Sequence, residues 1–338
     1  MEGENMEGVL AKRKTLTFGA DPEMFVMAGE ELIPAFNFLP PNTGRQLLYW
    51  DGFQAEWKYL QPHYCQNNLI EETRDRLMLL ADKVKLFNPQ GRLTLKNVVK
   101  IPVETLQTAQ HAHVELGCQP SFNAYNLAGM KVPNARQLKF RFAGGHMHFG
   151  TWKRTKPNYE KIIKTLDMIL GVWAVGVAQN WDDPVRRKFY GLPGEYRAPN
   201  YATGYGVEYR TLSNWWLASP RIMQLTWDIG RTCVQFARSR YWKLWAGDEK
   251  ETIHTIQSCD VDQARRIIWR NRGLFTWLLK QTYPAAEEAC IERVFALCNV
   301  GLEAVVPYPE DFAGNWHFQD DWIPDAKVAW ARWDQGGL

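Results

Sequence analysis

Gly144-Gly-His-Met-His-Phe-Gly150 is the stretch that decides the architecture. Lys139 to Gly150 has strand character, so His146 and His148, two residues apart, project from one side and are bracketed by glycines that permit close backbone approach. Two further strand-like segments repeat the device. Gly19-Ala-Asp-Pro-Glu-Met-Phe25 carries Asp21 and Glu23, and Gly206-Val-Glu-Tyr-Arg-Thr-Leu212 carries Glu208 and Arg210. Successive strand side chains face opposite sides and alternate ones share a face, so three strands of one sheet would aim carboxylates, imidazoles and a guanidinium at a common point. The strand after the Asp51-Gly52 turn adds Glu56, between Ala55 and Trp57.

A half-buried antiparallel strand also shows polar residues at i and i+2 on its wet face, which is the plain reading of Asp21 and Glu23 taken alone. Pro22 between them predicts an edge position or a bulge. The histidine pair is more specific and suits a metal or phosphate site. Asp21, Glu23, Glu56 and Glu208 are hard oxygen donors, which with one or two imidazoles suit Mg²⁺ or Mn²⁺ better than a structural zinc. Divalent ions among carboxylates with a nearby arginine are what a nucleoside triphosphate needs. Arg210 is one such arginine; Arg186 and Arg187, after Asp182-Asp183-Pro184, and Arg197 in Gly194-Glu-Tyr-Arg197 are others, because a guanidinium fork fits phosphate or carboxylate. A solvated surface role is the competing reading for each. The chain has no P-loop, no Gly-x-Gly-x-x-Gly fingerprint and no Gly-x-Ser-x-Gly elbow, so a nucleotide would lie on a sheet and covalent hydrolase chemistry has little support.

The 338 residues, 46% hydrophobic and 23% charged, are typical of a globular chain of one large or two ordinary domains. A net charge of +3, from 40 basic and 37 acidic side chains, argues against a nucleic-acid coat. The cysteines (Cys65, Cys118, Cys233, Cys259, Cys290, Cys298) are scattered without metal spacing and read as reduced and mostly buried. Sixteen tryptophans, among them Trp173, Trp215, Trp216, Trp269 and Trp277 in apolar surroundings, read as core packing. No apolar run is expected to approach the roughly 18 to 20 residues of a membrane span, and Met1 to Lys14 has no apolar signal region, which predicts an intracellular, cytoplasmic protein.

Residues 1–14 repeat Met-Glu-Gly and read as a flexible leader. Leu16 to Met27 predicts a strand with a hairpin at Ala28 to Glu31, and Leu48 to Leu60 a strand, turn and strand. Asn67 to Phe87 predicts a helix, Tyr159 to Asn180 a strongly apolar one, Gly191 to Gly206 an irregular loop and Val207 to Leu212 a short strand. Helices are then expected over Pro220 to Tyr241, Asp260 to Gln281 and Ala285 to Leu297. The order predicts an α+β protein, with a mainly antiparallel sheet and helices to one side or end.

Taken together, Gly19 to Phe25, Asp51-Gly-Phe-Gln-Ala-Glu56, Gly117-Cys-Gln-Pro-Ser-Phe-Asn-Ala124, Gly144 to Gly150, Arg186-Arg-Lys-Phe-Tyr-Gly191 with Gly194-Glu-Tyr-Arg197, and Gly206 to Trp216 resemble the phage carboxylate-amine ligases (COOH.NH2 ligase type 2, phiEco32-like) of the glutamine synthetase and glutamate-cysteine ligase superfamily. The resemblance covers about residues 15 to 220 and implies a leader (1–14), a catalytic core (15–220) and a mainly helical part packed on it (221–338). It implies an antiparallel active-site sheet binding ATP and two or three Mg²⁺ ions, Mn²⁺ being the alternative. Asp21, where the superfamily more often has glutamate, Glu23, Glu56, His146 and Glu208 would be metal ligands. His148, Arg210, Arg186 and Arg187 would contact nucleotide, and Arg210, Arg197 and Glu195 would act in catalysis, Glu195 or Asp183 as the base. The implied reaction joins a small-molecule or peptide carboxylate to an amine through an acyl phosphate, releasing ADP and phosphate, in the host cytoplasm if the gene is a phage's. The competing readings are a metal-dependent hydrolase, since His-x-His also opens binuclear sites, and an inactive phage scaffold or binding protein of the same fold. Nucleic-acid binding through the tryptophans comes last.

Overall fold

The twelve residues of β1 (Thr17–Ala28) carry apolar side chains on both sides, and the sheet grows outward from them. The computed structural model describes residues 16–316 apart from 60, 115–120, 129–135, 153–155, 202–203, 240, 246, 283–287 and 307–308. The leader read at 1–14 and the Gly117 to Pro120 part of its motif lie outside the described residues. Beside β1 runs β9 (Gly145–Trp152), in the register Asp21↔His146 and Gly19↔His148. On its other side is β4 (Gln54–Trp57), with Glu23 opposite Glu56. β3 (Leu48–Asp51) sets Tyr49 opposite Glu56, β12 (Gly204–Tyr209) sets Glu208 opposite His148, and β10 (Glu195–Arg197) sets Arg197 opposite Glu208. With β7 (Phe122–Asn123) the order is β3-β4-β1-β9-β12-β10-β7, antiparallel at each junction. β2 (Glu31–Ile33) and β5 (Arg92–Thr94) extend the far end of β1, β11 (Asn200–Tyr201) pairs with β12, and β6 (Val98–Lys100) with β8 (Phe140–Phe142) forms a separate ladder.

Pro22 sits neither at an edge nor in a bulge, contrary to expectation. β1 is flanked on both sides, with Pro22 paired to Gly145 of β9, but pairing with β4 begins only at Glu23. The Glu23 amide donates toward β9, to the Gly144 carbonyl at 2.9 Å, so the proline nitrogen turns toward β4 just beyond the end of that ladder and its missing N–H breaks nothing.

Eleven helices are described: α1 (Gln66–Phe87), α2 (Val103–Thr108), α3 (His111–Val114), α4 (Tyr159–Leu166), α5 (Val172–Ala178), α6 (Arg186–Phe189), α7 (Pro220–Ala237), α8 (Glu249–Ser258), α9 (Val261–Arg270), α10 (Arg272–Thr282) and α11 (Glu288–Val300). The architecture is α+β. Alternation along the strands sends Phe18, Met147, Phe149, Val207 and Tyr209 to one face, all buried. There Trp227 of α7 meets Phe18 and Phe149 with ring centroids 5.5 Å apart in each case. Asp21, Glu23, His146, His148 and Glu208 take the other face. One hydrophobic cluster runs from Leu16 through Trp316, joining the sheet to the later helices.

α4, a π-helical turn over Asp167–Gly171 and α5 form a continuous apolar helix, and this corrects the expectation that no apolar run nears membrane-spanning length. Tyr159–Trp181 is 23 residues long, and its most apolar window, of mean hydropathy 1.4, is 89% buried inside the protein. The stretch read as an irregular loop, Gly191 to Gly206, contains β10 and β11, strands too short to show a period and formed by pairing with β12. The helix read over Asp260 to Gln281 breaks at Asn271, and α8, capped by Asp248 on the Glu251 amide at 2.6 Å, was not anticipated because only Thr252, Thr255 and Ile256 of its ten residues are buried. Of the cysteines read as reduced and mostly buried, Cys233 and Cys298 are buried, Cys259 is half-buried and Cys65 is exposed, all four as free thiols. Among the described residues with a stated burial no tryptophan is exposed.

Gly145 has no room for a side chain, since a Cβ there would lie 2.3 Å from both the Ser213 carbonyl oxygen and Trp216 Nε1. Gly145→Ala is expected to lower unfolding free energy by about 1–3 kcal/mol through overpacking, read from denaturant midpoints.

Candidate active site

Cross-strand neighbours on one sheet face bring the sequence-selected groups together. Asp21, Glu23, Glu56, His146, Arg197 and Arg210 line a cavity of about 210 Å³, joined by Tyr49, Trp50, Asp51, Asn42 and Tyr190. His146, Glu23, Glu208 and Arg210 are each under a tenth exposed. His148 Nε2 lies 3.1 Å from Asp21 Oδ2, and one ligand atom each from Asp21, His148 and Glu208 falls within 4.8 Å of the others. His146 Nδ1 lies 3.5 Å from the Glu208 carboxylate and 3.5 Å from Arg210 Nη1. Arg210 donates a close hydrogen bond to Glu208, and Arg197 approaches the same carboxylate at 3.5 Å.

The acidic side is held in place from several elements. Glu23 accepts from the Gly144 amide at 2.7 Å and from the Tyr190 hydroxyl at 2.8 Å, while Glu56 accepts from the Tyr49 hydroxyl at 2.8 Å. Burial and the adjacent Asp51 push the Glu23 carboxyl up to about 7, in spite of its two donors. Burial, then Asp21, Glu23 and Asp51, pushes Glu56 well above the ordinary carboxylate range, and burial raises Asp51. Burial would also raise Asp21, but His148, with Arg210 and Arg197, more than offsets this and holds it low. His148 in turn is raised, the loss of solvation being outweighed by Asp21 and Glu208, whereas burial with Arg210 and Arg186 nearby keeps His146 neutral far below its ordinary value. Crowded hard oxygen donors with an imidazole are a donor set that fits a divalent cation.

The structure does not bring Arg186 and Arg187 to the cavity. Both are essentially fully buried. Arg186 donates to the Ala143, Thr211 and Leu212 carbonyls at 3.0, 3.0 and 2.7 Å. Arg187 donates to the Gly191 carbonyl at 2.6 Å and pairs closely with Asp182 and the Thr211 carbonyl. Glu195 lies behind Arg210, 3.7 Å from its Nε, with its oxygens accepting from the Ser121 hydroxyl at 2.6 Å and the Leu192 amide at 3.0 Å. Asp183 accepts from the Val185 amide at 2.8 Å, at the start of α6 and outside the cavity lining. The sequence reading missed Tyr49 and Asp51, which the hairpin register with Glu56 would have placed, and Tyr190, for which no periodicity gives a signal.

The Glu23 carboxyl ionises near pH 7 in the folded chain against about 4.5 in a free side chain, so the folded state holds the extra proton between these values. Stability of the metal-free protein is therefore present at pH 4.5 and lost as pH rises to about 7, by on the order of 3 kcal/mol from this group. Glu23→Gln is expected to flatten that slope in denaturant titrations at pH 5, 6, 7 and 8.

None of the curated proteins matches the chain. Residues 130–246, about a third of the chain and the segment that carries His146, His148, Tyr190, Arg197, Glu208 and Arg210, match the family described as Phage phiEco32-like COOH.NH2 ligase-type 2, the family that the sequence motifs resemble.

Proposed function

We propose that the chain is an ATP-dependent carboxylate-amine ligase that forms an amide bond through an acyl phosphate and releases ADP and phosphate. The observation that carries this reading is the composition of one cavity, where the carboxylates of Asp21, Glu23, Asp51 and Glu56 share the lining with Arg197 and Arg210, next to a cation-fitting group of Asp21, His148 and Glu208. The reading also rests on the family match, whose name describes joining a carboxyl to an amine.

A carboxylate is a poor acyl donor and must first be phosphorylated, which gathers negative charge on the transferred group. Asp21, Glu23, Glu56, Glu208 and an imidazole would hold Mg²⁺ or Mn²⁺, which when bound neutralises phosphate oxygens. Arg210, already oriented by Glu208 and Glu195, presents its guanidinium to the group in transfer. Arg197, on the same carboxylate but 27% exposed, sits where an incoming carboxylate or phosphate would arrive. Glu195, with both oxygens engaged, is assigned the orientation of Arg210 rather than proton abstraction. Arg186 and Arg187 spend their donors on main-chain carbonyls and Asp182, and are assigned the support of the loops around Ala143 and Thr211. We place the acid and the amine among small molecules and peptides.

The test is binding followed by turnover. ATP with Mg²⁺ is expected to raise the thermal midpoint where ATP with chelator does not; ligand at about 100 times its dissociation constant stabilises by roughly 2.7 kcal/mol. A response to metal alone, with hydrolysis of amide or ester probes, would replace the ligase by a metal-dependent hydrolase, and no response to either would favour an inactive scaffold. In a screen of acids and amines followed by ADP release, Glu208→Ala is expected to abolish turnover; near-normal rates would remove Glu208 from the site. Arg210→Lys is expected to reduce the rate by 100-fold or more, roughly the loss of one charge-stabilising donor.

A further inference from the structure

Asp167 is an acid in the core, outside the cavity lining. It opens the π-helical turn Asp167–Gly171 between α4 and α5, is 0% exposed and is followed by the buried Met168, Ile169 and Leu170. A helix that had only to fill the core would be more stable with an apolar side chain there, because a carboxylate taken out of water is destabilising unless its partners offset the lost solvation. The place of those partners gives the acid its reason. A π turn of this kind often accompanies a functional position in a helix.

Tyr209 and Thr211 are the chain neighbours of Arg210, and alternation turns them away from the cavity as it turns Arg210 toward it. Both hydroxyls donate to Asp167 Oδ1, Tyr209 at 2.6 Å and Thr211 at 3.1 Å, the Thr211 proton being shared with the Leu192 carbonyl at 3.2 Å. Asp167 Oδ2 accepts from the Gly194 amide at 2.5 Å. Gly194 precedes Glu195, whose carboxylate stands 3.7 Å from Arg210 Nε and whose carbonyl accepts from the Arg210 amide at 3.1 Å. Space is kept for this junction by Gly171, where a Cβ would lie 2.8 Å from the Tyr209 hydroxyl and 3.4 Å from Asp167 Oδ1. We infer that Asp167 is a positioning residue for Arg210: from the opposite face of the sheet it ties the backbone on both sides of that arginine and the turn that presents Glu195 to it, and so holds the guanidinium on the cavity wall. Gly194, Tyr209 and Thr211 all donate, so an amide in place of the carboxylate offers one acceptor atom too few, and at least one of their protons loses its partner. The consequence for rate rests on the ligase reading; the place of the guanidinium does not.

The experiment compares crystal structures of the full chain as wild type, Asp167→Asn and Tyr209→Phe, grown in one condition, with steady-state ADP release by each variant alone and combined with Arg210→Lys. In Asp167→Asn the Arg210 guanidinium is expected to move by about 1 Å or more and kcat to fall by about 100-fold with KM unchanged, the loss that follows misplacement on this scale. On the Arg210→Lys background the same substitution is expected to cost nothing further, as for two residues that act as one. A residue that only supported the core would lower the thermal midpoint, leave Arg210 where it is in wild type, and add its loss to that of Arg210→Lys. An unmoved Arg210 in folded Asp167→Asn overturns the inference, and so do additive losses. If Asp167→Asn does not fold, Tyr209→Phe, which removes one hydroxyl and keeps the ring, decides by the same two criteria. Absence of ADP release by wild type, with Arg210 displaced in the variant, would count against the proposed function and leave the positioning role standing.

Discussion

Like charges forced together by strand register are the constraint on which this structure turns. Antiparallel pairing sets Glu23 opposite Glu56, and Asp21 beside His146, with Asp51 completing the acidic wall. Each carboxylate was extended to the cavity by a backbone whose other face is committed to packing, so none can retreat into solvent without unpairing a strand. Burial first and then the neighbouring carboxylates raise Glu23 and Glu56, burial raises Asp51, and only Asp21, beside His148, stays low. Buried charge of one sign weakens a fold by itself. Its persistence here fits a site built to receive positive charge from outside the chain.

What carries that burden is the reverse of the same strands. Phe18, Phe149 and Trp227 form an aromatic wedge between sheet and α7, and the helix running through α4 and α5 is buried almost throughout. Area burial of this kind is worth about 25 cal/mol per Å², which lets a small polar face remain strained. Period-two alternation is what permits both duties within one strand: Met147 and Phe149 serve the core while, on the other face, His146 lines the cavity and His148 pairs with Asp21.

The arginines divide by the same logic. A guanidinium near acids can serve as a charge for a ligand or as a multiple donor that ties loops together. Arg210 and Arg197 remain on the cavity wall. Arg186 and Arg187 are consumed by carbonyl oxygens, with Arg187 joined to Asp182 and through it to Asn97 at 2.8 Å. All four look alike in the sequence, because their difference lies in whether free carbonyls surround them.

Sequence alone determined the strands around Asp21, Glu56, His146 and Glu208, the shared face of their polar residues, the helix read over Asn67 to Phe87 and the α+β class, since these follow from local periodicity and turn chemistry. Only tertiary structure decided that Pro22 lies at the end of a ladder in mid-sheet, that β10 pairs with β12, that Asp21 groups with His148 rather than His146, and that Tyr190 bridges Glu23 and His146 across 167 and 44 residues of chain. Those outcomes depend on which groups meet across long separations, and contact of that kind leaves no period in the order of residues to be read.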